Sequence, residues 1–251
     1  MAKGKESGIG GGGGGGSAYD TFGSKDRDMV DVATHRQLQK YLDENNYNIK
    51  LGRGTRAVDV NVLKSSIQGM TEVIDANPFM KDMPIEVKTT TARSYVAQAS
   101  ISYDSRDASN PIKYTLSLGA IMKNGTNGSI ERAMNGTEGF HPANQTTAST
   151  IAHETGHFYE MYRAQKMYGS TYRAFQAVSR EEISSDIINR AATKLGASTS
   201  NARRDLMEGV SRYARTTSAE GLAECVADVY ANGRNASPLS REVWKIMNSE
   251  A

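Results

Sequence analysis

Cysteine is nearly missing from this chain. Only Cys225 occurs among 251 residues, so no internal disulfide can form and a reducing compartment is favoured. An excess of either charge is missing too: 30 Lys and Arg stand against 28 Asp and Glu, a formal net charge of +2. With no basic block besides, nothing argues electrostatically for a nucleic-acid partner or a membrane surface. Long apolar runs are absent, and the start Met-Ala-Lys-Gly-Lys-Glu passes into glycine rather than an apolar core. Neither a secretory signal nor a membrane span is therefore expected, and the expected location is cytoplasmic. The Asn-x-Ser/Thr strings at Asn124, Asn127, Asn135 and Asn144 then read as turns rather than glycosylation sites.

What is present suits one globular domain with a real core, at 38% apolar and 7% aromatic residues. Gly8 to Ser17 is nearly all glycine, a composition that buries nothing and behaves as a flexible coil. Residues 1–18 are expected to form a disordered arm and residues 19–251 the folded domain. A phosphate-cradling role for the glycines lacks the following Lys-Ser/Thr that such loops carry.

Apolar spacing predicts helices over 27–45 and 60–77, the second stopped by Pro78 and Pro84. Runs rich in β-branched residues and tyrosine predict strands over 85–91, 93–103 and 112–121, with a turn at 104–111, as a short antiparallel sheet. A polar loop is expected over 125–139, followed by helices near 180–195, 201–213, 220–231 and 240–249. Helix and sheet ahead of an all-helical part make the class α+β.

The most informative segment is His153-Glu154-Thr155-Gly156-His157. Residues four apart share a helix face, so His153 and His157 can grip one zinc ion while Glu154 sits beside the metal's open position. Thr146, Thr147, Ser149 and Thr150 offer caps for a helix starting near Gln145, with Pro142 in the loop before it. Ile151, Phe158 and Tyr162 supply an apolar flank. Gly156 inside a helix costs about 1 kcal/mol against alanine and implies a segment passing close to the backbone, expected to be a strand or a metal-bearing loop.

Catalytic zinc takes three protein ligands and leaves a fourth position to water. His35 and His141, the remaining histidines, sit in no supporting pattern. Glu220, Glu224 and Asp228 fall at i, i+4 and i+8 and form an acidic stripe backed by Leu222, Cys225, Val226 and Val229. One of these carboxylates is the expected third ligand, with the next as an outer support for an imidazole. Cys225 is expected to be a small core residue.

His-Glu-x-x-His followed by a Thr/Ser-rich lead into Glu-x-x-Ala-Glu resembles the zincin metallopeptidases of the glutamate-ligand (gluzincin) branch. Within it, the pattern is similar to the anthrax lethal factor catalytic domain and related domains of phage and mobile-element proteins. The resemblance implies a zincin-like fold, Glu220 as zinc ligand, Glu224 as outer support, and Tyr213, at the matching spacing before Glu220, as a donor to the oxyanion or leaving group. It also implies that an edge strand before the motif helix pairs with the substrate backbone, which nominates residues 114–120. Two departures stand out: Gly221 and Leu222 occupy positions that are often aromatic in the family, and a long insertion separates His157 from Glu220. Thermolysin-like relatives use Glu-x-x-x-Asp instead, which would move the ligand to Glu224 and the support to Asp228; Glu220 ranks ahead.

The function expected from these residues is a zinc-dependent endopeptidase with Glu154 as general base, acting on a protein or peptide substrate. Two other readings accompany it. One is a non-catalytic, zincin-shaped virion or scaffold component tethered through the N-terminal arm, virion-associated if phage-encoded; the other is a zinc amidase acting on cell-wall peptides.

Overall fold

The computed structural model describes Phe22 and residues 29–249. The glycine-rich arm expected over 1–18 lies outside the described residues, as does the start of the first expected helix.

Four strands form one sheet in the order β1-β2-β4-β3, where β1 is Ile49–Leu51, β2 Ile85–Thr89, β3 Ala97–Tyr103 and β4 Ile112–Leu118. The class is α+β, as expected, but the sheet is mixed rather than mostly antiparallel. β1 pairs β2 and β2 pairs β4 in parallel, while β3 alone runs antiparallel to β4. The connections explain this. Helix α2 (Val60–Ala76) carries the chain back across the sheet between β1 and β2, which leaves successive strands parallel, and only the turn at 104–111 is tight enough for a hairpin. β1 is short and was not legible in the pattern. A second correction concerns the edge: β4, expected to be the exposed strand, lies between β2 and β3 with Ile112, Tyr114, Leu116 and Leu118 buried. The free edge on that side is β3.

Helix α1 (His35–Glu44) is capped by Thr34, whose hydroxyl accepts from the Gln37 N–H. It begins later than the spacing suggests, since Met29 and Val32 precede it in a turn that the Val32 N–H closes by donating to the Met29 carbonyl. Asp59 caps α2 by accepting from the N–H groups of Asn61 and Val62, and Asn77 closes the far end by donating its amide to the Val73 carbonyl at 2.9 Å. Residues 120–135, read largely as loop, hold two helices instead, α3 (Ala120–Asn124) and α4 (Asn127–Asn135). Only Ile130 of α4 is buried, so its apolar signal is weak. Its order comes from Thr126 and Ser129, which cap each other's backbone reciprocally.

The helical part contains α5 (Thr147–Tyr168), α6 (Tyr172–Ser179), α7 (Glu182–Lys194), α8 (Ser200–Glu208), α9 (Ser218–Asn232) and α10 (Pro238–Ser249). α6 was not anticipated, and α8 ends before Tyr213, leaving residues 210–217 as a turn-rich approach to α9. None of the helices among the described residues is long and apolar enough to cross a membrane.

α5 is the central beam. Ile151 and Phe158 are fully buried on its core flank, α2 crosses it on one side, and α9 crosses it on another. Both crossings depend on glycine. A Cβ on Gly69 of α2 would lie 2.0 Å from the carbonyl oxygen of Ala148, and one on Gly156 would lie 2.9 Å from the Ala223 Cα. The neighbour inferred from Gly156 is therefore a helix, not a strand or loop. Cys225 is buried, as expected of a core residue.

Gly69→Ala should destabilise the fold by about 2–3 kcal/mol despite alanine's better helix propensity, because the new methyl meets backbone that cannot swing aside. Urea denaturation would check it. An unchanged or higher midpoint would mean that the α2–α5 crossing is looser than described.

Candidate metal centre

Thr146 starts α5: its hydroxyl accepts from the Ser149 N–H at 3.0 Å, and Ser149 Oγ accepts from the Thr146 N–H at 2.7 Å. With the helix start fixed, His153 and His157 fall one turn apart on the same face, their rings 5.0 Å apart and nearly perpendicular at 81°. α9 is fixed likewise by Thr217, whose hydroxyl accepts from the Glu220 N–H at 3.1 Å. Because Gly156 carries no side chain, α9 settles close to α5; Gly221 faces away from α5, where a Cβ would meet Met207 Cε at 2.6 Å and the Ala214 carbonyl oxygen at 3.0 Å.

This approach brings three side chains to one point. Glu220 Oε2 lies 3.2 Å from His153 Nε2 and 3.3 Å from His157 Nε2. His153, His157 and Glu220 together form a group whose ligating atoms all lie within 4.8 Å of one another. Ligands placed about 2.0–2.2 Å from a tetrahedral cation stand about 3.3–3.5 Å apart, so both observed separations suit the edges of such a site. Glu220 Oε2 is also buried with no hydrogen-bond partner among the described residues, a costly state unless a cation or proton satisfies it. The donor set, two imidazoles and a carboxylate, suits zinc.

The acidic stripe separates into three environments. Glu220 faces the histidines. Glu224, one turn on, places Oε1 2.9 Å from His153 Nδ1 and 3.1 Å from His141 Nδ1, while its Oε2 accepts from Ser211 Oγ at 2.7 Å. The His153 contact is close but off the line of the ring N–H, which has no aligned partner. Asp228 points away to the far end of α9, accepting from Asn232 Nδ2 and the Ser237 N–H, both at 2.8 Å. It holds the turn into α10 and takes no part in the cluster.

Burial raises the carboxyls of Glu220 and Glu224, but the histidines that face them outweigh it. Glu220 is held well below the usual carboxylate range by His153 and His157, and Glu224 at about 2 by His141 and His153. For His153 burial disfavours the imidazolium, yet Glu220 and Glu224 raise it well above an ordinary histidine. A cation entering the site therefore has to displace that proton.

Glu154 is buried between α5 and the sheet, where its Oε2 accepts from the Ala99 N–H at 2.5 Å. β3 is an edge strand, so its outward N–H groups have no ladder partner, and one of them is free to hold this carboxylate. Tyr213 stacks between Phe140 (5.3 Å, 26°) and His153 (6.1 Å, 19°). Backbone bonds place it there: the Arg212 N–H donates to the Gly139 carbonyl at 2.9 Å and the Tyr213 N–H to the Phe140 carbonyl at 3.0 Å. Burial and the charge of Glu220 push its phenol upward, so it remains a neutral O–H donor.

His153, Glu154, Tyr213 and Glu224 line one cleft of about 440 Å³. Sequence reasoning missed His141, Ser211 and Ala99. His141 sits in a loop with no motif, Ser211 in a turn, and Ala99 acts through its backbone, which no side-chain pattern can announce. His35 is elsewhere, with Nε2 3.0 Å from the Val58 carbonyl. Comparison of the chain with protein-family models, with curated proteins and with solved structures finds no match.

Two measurements follow from this geometry. In chelator competition, Glu220→Ala should abolish stoichiometric zinc binding while Glu224→Ala weakens it by about 10–100-fold; the reverse order would exchange their roles. In metal-free protein, Glu224 has a folded pKa of about 2 against an ordinary value of 4.5. Its stabilising contribution is present above 4.5 and is lost as pH falls toward 2. The melting-temperature gap between the metal-free protein and Glu224→Gln should therefore narrow over that window; a gap that widens on acidification would contradict it.

Proposed function

We propose that this chain is a zincin-like, zinc-dependent endopeptidase of the gluzincin type. The observation that carries the reading is the convergence of His153, His157 and Glu220 on one point, with Glu154 and Tyr213 at its rim. His153 and His157 would hold the ion through Nε2 and Glu220 through Oε2, while Glu224 orients His153 from behind. Zinc bound there would supply a Lewis acid that polarises a peptide carbonyl and brings the pKa of water to about 7.

The remaining work belongs to the chain's own groups. Glu154 takes a proton from the attacking water at a carboxylate oxygen and passes it to the departing amine, acting first as general base and then as general acid. Its bond to the Ala99 N–H keeps the carboxylate aimed into the cleft. Tyr213, a neutral phenol stacked on His153, donates to the carbonyl oxygen as negative charge grows there. An extended peptide would lie along β3, whose free edge borders Glu154, so that main-chain hydrogen bonds orient the scissile bond. This gives β3 the part that the sequence assigned to residues 114–120.

A catalytic role, rather than a structural metal, is favoured by Glu154 itself. A purely structural site has no use for a buried carboxylate at the open corner.

Zinc-loaded protein should cleave a mixed peptide library, and a chelator should stop it. Glu154→Gln should keep the metal while losing about a thousandfold in kcat/KM, and Tyr213→Phe should lose about a hundredfold, mainly in kcat. Full activity in Glu154→Gln, or a loaded protein that cuts no peptide, would overturn the assignment. Cleavage confined to cell-wall peptides would redirect it to an amidase.

A further inference from the structure

We propose that the cleft beside His153 and Glu154 reads a carboxamide side chain through Gln145, so that the enzyme cuts at bonds adjoining glutamine or asparagine. This rests on the peptidase reading above and adds a substrate preference to it.

Gln145 immediately precedes the cap of α5 and is rigidly held. Its backbone N–H donates to Asn135 Oδ1 at 3.0 Å, and its carbonyl accepts from Asn135 Nδ2 at 2.7 Å. The residue is only 3% exposed, yet it lines the cleft that also holds Glu154 and Tyr213. One end of its amide is satisfied, with Oε1 accepting from Ser149 Oγ at 3.0 Å. The other end, Nε2, is buried with no hydrogen-bond partner among the described residues. Inverting the amide does not remove the deficit. Ser149 Oγ also lies 3.0 Å from the Thr146 carbonyl, so it could donate there and accept from the inverted amide, leaving Oε1 unpaired instead.

A buried amide end without a partner is unfavourable, and in a substrate cleft it marks where a ligand's polar group belongs. A carboxamide offers both a donor and an acceptor, so it satisfies Gln145 in either orientation. Other side chains fit less well. A carboxylate would enter a cleft that already holds Glu154 and Glu224. A Lys or Arg head carries only donors, so it offers nothing for Gln145 Nε2 to donate to and would be drawn instead toward Glu154 and Glu224. A purely aliphatic side chain suits the wall of Val96, Ala97, Ala133 and Met134 but leaves the Gln145 amide unpaired. Glutamine matches both features, with methylenes for the apolar wall and an amide for Gln145. A site that hydrogen-bonds its substrate discriminates against analogues lacking the polar group.

The test uses a peptide panel identical except for Gln, Asn, Leu, Met, Glu or Lys at each position flanking the scissile bond. Two measurements are made on it: kcat/KM with the zinc-loaded protein, and equilibrium binding by fluorescence anisotropy to the Glu154→Gln protein. The unaltered protein should favour Gln over Leu by about tenfold at one flanking position, in both measurements. Gln145→Leu should flatten that preference, and Gln145→Glu, which preserves shape, should do the same while retaining zinc stoichiometry and melting behaviour. Equal handling of Gln and Leu by the unaltered protein, or a preference that survives both substitutions, overturns the proposal. Absence of cleavage across the panel would instead strike at the peptidase reading, and the binding measurement would still decide the role of Gln145.

Discussion

The close crossing of α5 and α9 at Gly156 and Ala223 is the constraint on which the candidate site depends. A carboxylate on α9 reaches two imidazoles on α5 only if the helix backbones nearly touch. A side chain at position 156 would hold them apart, since even a methyl would stand 2.9 Å from the Ala223 Cα. The loss of helix propensity at glycine, about 1 kcal/mol, is offset by the apolar packing of Leu222 and Val226, both fully buried. The cluster therefore sits on a contact between two rigid elements rather than on loops, which is what precise positioning of ligating atoms requires.

Three carboxylates spaced one turn apart would repel one another on a bare helix. Here each has a different partner: Glu220 the two histidines, Glu224 His153 with His141 and Ser211, and Asp228 the turn at Asn232 and Ser237. Burial raises the cost of charge on Glu220 and Glu224, and the imidazoles more than compensate. The division of labour arises from what surrounds α9 along its length. Near its start lies the face of α5, in its middle the loop carrying His141, and at its end the entry to α10.

On the other side of the cleft, β3 contributes through being an edge. An inner strand has its backbone groups paired on both sides. β3 has a neighbour only in β4, so the Ala99 N–H is available to Glu154. The same openness lets the proposed peptide substrate lie against it. Phe140, His141 and Tyr213 form the remaining wall, joined by ring stacking and by backbone bonds between two loop segments.

Much of this was legible in the linear order of residues. The spacing of His153, Glu154 and His157 places them on one helical face wherever that helix packs, because 3.6 residues per turn is a local property. The α2 span, the places of β2, β3 and β4 and the stripe of Glu220, Glu224 and Asp228 follow from the same kind of local periodicity. Strand pairing does not. Whether β4 is an edge or a centre, and whether neighbours run parallel, depends on how α2 crosses and where β1 docks, which are contacts between residues far apart in the chain. α3, only five residues long and read in part as the end of a strand, and α4, held in shape by capping rather than an apolar stripe, escaped notice. Which of the three carboxylates faces the histidines, the contacts of Glu224 with His141 and Ser211, and the unpaired amide end of Gln145 likewise follow only from tertiary packing. Each depends on which side chains are brought within about 3 Å, a distance at which hydrogen bonding and ligation are decided and about which spacing along one chain is silent.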